Sequence, residues 1–347
     1  MLVNFHHSPG ILAALAAAIL FGASTPLAKI LLGEVNPWLL AGLLYLGSGM
    51  GLFIYRKLTH GPKVVLPKTE LGWLFAAILA GGVLAPVLLL IGLSAMPASG
   101  ASLLLNAEGV FTALLAWFVF RENVDLRIAL GMFAIVAGAV VLSWSSEASM
   151  GSWWPALAVL AACLLWGLDN NLTRKVSLND ATWLTCVKGL VAGSVNLSLA
   201  LVLGAQLPSL GLVSSALLLG LLAYGVSLSL FIIGLRHLGT ARTGAYFSIA
   251  PFFGAVLSVL LLGEPITSVL LIAGVLMALG LWLHLTEYHS HEHHHEALEH
   301  EHTHVHDEHH QHAHDFPVQA GEKHRHRHKH EPMTHTHPHY PDVHHQH

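Results

Sequence analysis

The stretch 91–142, IGLSAMPASGASLLLNAEGVFTALLAWFVFRENVDLRIALGMFAIVAGAVVL, returns further along the chain as 233–283, IGLRHLGTARTGAYFSIAPFFGAVLSVLLLGEPITSVLLIAGVLMALGLWL. Ile91-Gly92-Leu93 recurs as Ile233-Gly234-Leu235, Glu122 as Glu264 and Gly138 as Gly280, all at one offset of 142 residues. Each copy holds the end of one apolar segment, a turn, a long apolar segment closed by an acidic residue, and another apolar segment. Three landmarks at one offset mark an internal duplication.

Composition sets the class. Of 347 residues, 54% are hydrophobic and only 10% charged, with a mean hydropathy of +0.61. Soluble domains carry about 25% charged residues. The net charge of −4 says little about partners, because the charges are segregated by loop. Cys163 and Cys186 lie inside apolar runs and form no CxxC pair, which argues against a disulfide framework or a thiol metal site. Nucleic-acid binding would need a basic face, and the chain has none.

Apolar runs near the ~20 residues that span a bilayer lie at 11–32, 38–56, 71–93, 99–120, 126–144, 153–173, 182–204, 212–235, 241–262 and 266–286. The expected fold is therefore an all-α membrane protein of ten transmembrane helices. Residues 1–10 form a short N-terminus, 11–144 one repeat, 153–286 the second, and 288–347 a polar tail. The runs are too long and Leu/Ala-rich, and too poor in alternation, for barrel strands. The first run lacks a basic segment before it, so it reads as an uncleaved helix rather than a signal peptide. Asn36-Pro37 and Asn179-Asp180 are placed to open the second and seventh helices.

With the N-terminus cytoplasmic, the internal loops hold ten basic residues, from Arg56 and Lys57 to Arg236 and Arg242, against Lys29 alone outside. The positive-inside rule then puts both termini in the cytoplasm and the chain in the inner (plasma) membrane. A five-span repeat is odd, so the halves are inverted, which is the signature of alternating-access carriers with a midplane site. An apolar scaffold built by duplication is the other reading.

The Gly/Ala-rich helices, the acidic ends at Arg121-Glu122 and Gly263-Glu264, and the paired Gly138 and Gly280 resemble the EamA-type branch of the drug/metabolite transporter superfamily over residues 10–287. The resemblance implies a carrier of amino acids, sugars, purines, drugs or other metabolites, often for export, without choosing among them. Members often carry a proline midway along the helix before the acidic end. The second half has Pro251, whereas the first half has Glu108-Gly109 there.

Ionisable residues at depth are costly and face a partner or water. Glu108 lies ten residues into the fourth run, about 15 Å deep at 1.5 Å per residue. It can couple a proton or balance a cation, or it can be a structural carboxylate bonded through Asn106 or a lysine. Asp169, with Asn170 and Asn171 beside it, and Lys188 fall at similar depth and are candidates for an ion pair; alternatively Lys188 reaches Glu108. Trp166, Tyr246 and Trp117 are candidate substrate contacts or packing. Gly47/Gly51 and Gly189/Gly193 allow close helix approach, inside the monomer or at a homodimer face. Pro26, Pro86 and Pro251 interrupt helices, and Glu122 and Glu264 are expected to cap the turns that follow them.

Twenty-three of the 28 histidines lie in the last sixty residues. With no apolar periodicity the tail is expected to be disordered. Its imidazoles suit zinc, nickel or cobalt, with His291, His293, His294, His295, His302, His304, His306, His309 and His310 as candidate ligands. No cofactor is required, and no nucleotide loop or catalytic constellation is present, so an enzyme is not expected. Three readings follow. The chain is a carrier of a small organic metabolite across the lipid bilayer, or a carrier of a divalent metal or its chelate, or a carrier whose tail senses metal or pH.

Overall fold

The computed structural model describes residues 9–64, 66–120, 126–144, 153–174, 176, 180–238, 243, 246–285, 290–295, 299–304, 324–329 and 333–338. Contacts divide the chain into a helical unit, 1–287, and a tail, 288–346.

The helical unit runs α1 (Pro9–Gly22), α2 (Ser24–Leu31), α3 (Pro37–Leu58), α4 (Lys68–Ala77), α5 (Ala85–Ser94), α6 (Ala98–Leu104), α7 (Ala107–Phe120), α8 (Leu126–Trp144), α9 (Trp154–Arg174), α10 (Ala181–Val202), α11 (Leu210–Gly220), α12 (Ser227–Leu238), α13 (Ala250–Leu262) and α14 (Ser268–Leu285). A π-helical segment, Ile78–Leu84, joins α4 to α5, and another, Leu221–Val226, joins α11 to α12. Among the described residues, seven stretches are long and apolar enough to cross a membrane: Gly10–Leu31, Pro37–Leu58, Lys68–Ser94, Ala98–Leu115, Trp154–Thr173, Thr182–Val202 and Leu210–Gly234. Ala129–Ser143, Ala250–Leu262 and Ser268–Leu283 are shorter apolar helices where the other three spans are expected.

Local chemistry sets the helix starts. Asn36 Oδ1 accepts from the backbone N–H of Trp38 (2.9 Å) and Leu39 (3.4 Å), with Pro37 at the first helical position; proline's missing N–H costs nothing there. Asp180 Oδ1 accepts from Trp183 N (2.8 Å) and opens α10. Pro26, Pro86 and Pro251 each fall in the first turn of α2, α5 and α13. Pro26 and Pro86 sit just after the interruptions of the spans Gly10–Leu31 and Lys68–Ser94, a turn at Ala23 and the π-helical segment Ile78–Leu84. Gly263, at φ 66, closes α13 in the left-handed region that glycine adopts without strain.

Packing follows a two-fold pattern. α3 lies on α10 and α8 on α14, each helix against its repeat equivalent, and α6 lies on α13. α1 packs on α12 while α9 packs on α5, so the first helix of each half sits against the third span of the other. Glycines permit these contacts. Gly189 and Gly193 of α10 meet the backbone of α3 at Gly49 and Gly42, and Gly47 of α3 meets Leu217 of α11. Both GxxxG pairs are therefore internal seams. The duplicated Gly138 and Gly280 serve one seam, Gly138 against Met277 and Gly280 against Gly131 and Ile135. The main core runs through Leu39, Leu40, Leu44, Leu90, Leu93 and Leu104, all 3% exposed or less.

In the tail the structure differs from the expected disorder. β1 (Ser290–His295) pairs antiparallel with β4 (Met333–Pro338), and β2 (Glu299–His304) with β3 (His324–Lys329). The physical reason is the His-x-His alternation, whose period of two is that of a strand. Register sets Glu299 opposite Lys329 and Glu301 opposite Arg327.

Candidate functional site

The fourth span is discontinuous. α6 stops at Leu104, Leu105 and Asn106 turn, and α7 restarts at Ala107. The second repeat turns at Ser248–Ile249 before α13 begins, an offset of about one residue from the equivalent place. The π-helical segments also occupy equivalent places. Half-helices at repeat-related positions are where carriers build their sites, and π-bulges often occur at functional positions.

Glu108 sits in the first turn of α7, where the positive end of the helix dipole favours a carboxylate. Its partner is on α9. Asn170 Nδ2 donates to Glu108 Oε1 at 2.9 Å and lies 3.2 Å from Thr112 Oγ1. Gly167 brings the helices together, because its Cα packs against Phe111 and Thr112 of α7. Asn170 and Asn171, a turn later, then reach α7. Asn171 Nδ2 donates to the carbonyls of Thr112 (3.2 Å) and Gly167 (2.8 Å). Glu108 is half-buried and Asn170 exposed. The expected link through Asn106 is replaced, since the Asn106 amide donates to the Leu103 carbonyl at 2.9 Å. The side chain ties off its own helix end.

The other face of α9 holds an ion pair. Lys188 Nζ, from α10, is 2.6 Å from both Oδ1 and Oδ2 of Asp169, and Thr173 Oγ1 donates to Asp169 Oδ1 at 2.8 Å. Lys188 therefore meets Asp169 rather than Glu108. Asp169 nests where Gly81 has no side chain. The π-helical turn leaves the Gly81 carbonyl free of a helical partner, and it accepts from Tyr45 Oη (2.8 Å) and Trp166 Nε1 (2.9 Å). Asn196 Nδ2 donates to the next carbonyls, Gly82 (3.2 Å) and Val83 (3.3 Å).

An aromatic run continues from Tyr45. Its ring centroid is 5.7 Å from Tyr224, which meets Phe21 edge-on at 5.8 Å; Phe21 lies 5.3 Å from Phe247, and Phe247 4.9 Å from Phe231. Tyr45, Tyr224, Phe21, Thr112 and the Gly81 carbonyl escape sequence reading. Aromatic and small residues are commonplace in apolar helices, and only the doubled glycine pair Gly81-Gly82 hinted at a special backbone.

The remaining candidates lie elsewhere. Tyr246 is half-buried beside Phe247 in sequence, and Trp117 is exposed and stacks on Phe118. Glu264 does not cap its own turn. Thr267 Oγ1 accepts from Leu270 N there (3.1 Å), while the Glu264 carboxylate accepts from the backbone of α6. Glu122, His306, His309 and His310 lie outside the described residues. His291, His293, His294, His295, His302 and His304 fall in strands described by their backbone alone. Among residues whose side chains are described, no group of three or more His, Cys, Asp or Glu is placed to hold a metal ion.

Known proteins share this organisation. The EamA-like transporter family matches residues 8–144 and again 153–286. A protein of Methanothermobacter thermautotrophicus described as an uncharacterized transporter is 31% identical over 79% of this chain and 85% of its own length. A probable amino-acid metabolite efflux pump of Salmonella typhimurium is 26% identical over 78% of this chain and 93% of its own. A probable 4-amino-4-deoxy-L-arabinose-phosphoundecaprenol flippase subunit of Pseudomonas fluorescens is 34% identical over 30% of this chain and 91% of its own. A solved crystal structure superposes with a TM-score of 0.61 at 19% identity, covering 80% of this chain and 95% of that one, which speaks to the fold alone. With both repeats matched and the helices packed about one pseudo-two-fold, the chain belongs to the EamA-like transporter family.

Proposed function

We propose that this membrane protein is a secondary carrier that exports a small organic metabolite across the inner membrane by alternating access. Ten spans then form two inverted five-helix repeats, with both termini cytoplasmic. The observation that carries the reading is Glu108 in the first turn of a half-helix, beside Asn170 and Thr112, at a break that both repeats share. Among the described residues Glu108 has no ion-pair partner, so the amine of a substrate or a transported proton can supply the missing positive charge. The aromatic run from Tyr45 to Phe231 suits an apolar body, and a cation over such faces gains about 0.5–2 kcal/mol. Amine-bearing metabolites, amino acids among them, fit both features, and the Salmonella relative is named as an amino-acid metabolite efflux pump.

The test is uptake of a labelled panel of amino acids and amines into everted vesicles, against a pH gradient, with the full chain and Glu108→Gln. Expected are saturable uptake by the natural chain and loss of its pH dependence in the variant. An unchanged rate and pH profile in Glu108→Gln would return Glu108 to a structural role.

The register of the tail favours a second activity alongside the first. In β2–β3, His300 stands opposite His328, His302 opposite His326 and His304 opposite His324, and in β1–β4 His291 and His293 stand opposite His337 and His335. Residues two apart share a strand face, and histidines as a residue type suit zinc, nickel or cobalt. The tail is thus read as a divalent-metal-binding appendage. Calorimetric titration of each ion into the full chain and a chain stopped after Glu287 tests this, the heat being expected from the full chain alone. Labelled-zinc flux into proteoliposomes that requires Glu108 would instead make the ion the substrate.

A further inference from the structure

At one end of the bundle two charged side chains act on a turn that belongs to neither of their helices. Lys29, in α2 of the first half, sends Nζ to the carbonyls of Leu93 (2.6 Å), Ser94 (3.1 Å) and Met96 (3.0 Å). These are the unpaired acceptors that any helix C-terminus exposes, here the end of α5. Glu264, in the turn between α13 and α14 of the second half, accepts from the backbone N–H of Ala98 (2.6 Å at Oε1) and Ser99 (2.8 Å at Oε2). These are the unpaired donors that open α6. Each charge has the sign its helix end favours, and the two are close enough to interact electrostatically.

The α5–α6 turn, from Ser94 to Pro97, is thereby held from both halves of the molecule at once. Beneath it the halves are in close contact. Gly22 of α1 meets the Ala250 carbonyl, and Gly254 of α13 lies against the Gly22 carbonyl and the Ser102 side chain of α6. Ser102 is wholly buried, and its hydroxyl finds no partner. A seam of such small residues separates easily once what holds its rim is released. Local helix capping does not call for this arrangement, because α14 already has Thr267 for its cap. The sequence supplies a similar acid–base pair a second time, Glu122 at the place equivalent to Glu264 and Arg174 three residues past the place equivalent to Lys29; the side chains of both lie outside the described residues.

We propose that Lys29 and Glu264 form a clasp that keeps this end of the carrier closed, and that its opening is part of the transport cycle. The inference rests on the alternating-access reading. Motion of one half against the other must break the bonds of Glu264, which cross between the halves, while Lys29 holds the turn that presents their donors. Charge-assisted bonds of this kind are among the stronger ones in proteins.

Labelling with a membrane-impermeant maleimide tests this without any known solute, so a failed substrate screen leaves it intact. In a full chain carrying Cys163→Ala and Cys186→Ala, Glu34→Cys first reports which membrane face bears the clasp. Ser102→Cys then reports the seam from that face, and Asn170→Cys reports the Glu108 region from the other. Adding Glu264→Gln or Lys29→Met is expected to speed labelling of Ser102→Cys by about tenfold, the equivalent of one lost charge-assisted bond, and to slow labelling of Asn170→Cys. Lys29→Arg, which keeps the donors, is expected to retain the slow rate. Unchanged rates, or rates that rise from both faces together as general loosening would give, overturn the clasp. Lys29→Met stands in should Glu264→Gln fail to accumulate.

Discussion

Replacing Lys188 with methionine isolates the energetics of the one ion pair among the described residues that lies within the helical core. The Asp169 side chain is 9% exposed and Lys188 17%, and the ammonium is 2.6 Å from both carboxylate oxygens. After the change, Asp169 keeps one described donor, Thr173. Removing one partner of a buried pair costs about 3–5 kcal/mol, because the other charge stays behind unpaired. Residual exposure of Lys188 argues for the lower end, about 3 kcal/mol. At about 2–4 °C per kcal/mol, the midpoint of thermal unfolding in detergent should fall by about 6–12 °C. Asp169→Asn alone should cost less, since a lysine on its flexible stem can reach water. The double variant Asp169→Asn/Lys188→Met should recover most of the loss, because no bare charge remains. A single-variant shift below about 2 °C, or a double variant as unstable as the sum of the singles, would refute the claim that the pair matters through uncompensated charge.

Other expectations follow from local geometry. Gly81→Ala would press a methyl group into the Asp169 carboxylate, and overpacking of this kind costs about 1–3 kcal/mol. Gly72→Ala in α4 meets nothing within 4 Å and should raise stability by up to about 1 kcal/mol; opposite-signed shifts in unfolding midpoint check the pair. For Asp180, partial burial raises the carboxyl's pKa, but bonds from Thr182 and the Trp183 N–H and the charge of Arg56 outweigh it and hold it below the ordinary 3.8. A depressed folded pKa contributes stability that is present above 3.8 and lost as pH falls through the folded value. Melts between pH 5 and 3 should therefore show a steeper acid loss in the natural chain than in Asp180→Asn, and parallel curves would refute the assignment. Stopping the chain after Glu287 should abolish zinc binding while leaving the unfolding midpoint of the helical unit unchanged within about 2 °C, because the two units are separately compact.

The duplication and the helix starts at Asn36 and Asp180 were legible in the sequence because they rest on local or periodic signals. Hydrophobic length, a repeat offset and a capping side chain need no knowledge of what packs where. Glu108 stood out for a similar reason, since a carboxylate in an apolar run is conspicuous wherever it lies. Its partner was not legible: Asn106 is nearer in sequence, but Gly167 sets the distance between α7 and α9 and so chooses Asn170. The same limit applies to Glu264. Sequence places it before a turn and suggests a cap there, while helix packing carries it to the start of α6 and gives its own turn to Thr267. The π-helical turns, the doubly accepting Gly81 carbonyl and the aromatic run through Tyr45 and Tyr224 are likewise products of tertiary contact. Which membrane-buried polar groups meet depends on angstrom-scale approaches between distant helices, and hydropathy and spacing carry no record of those distances.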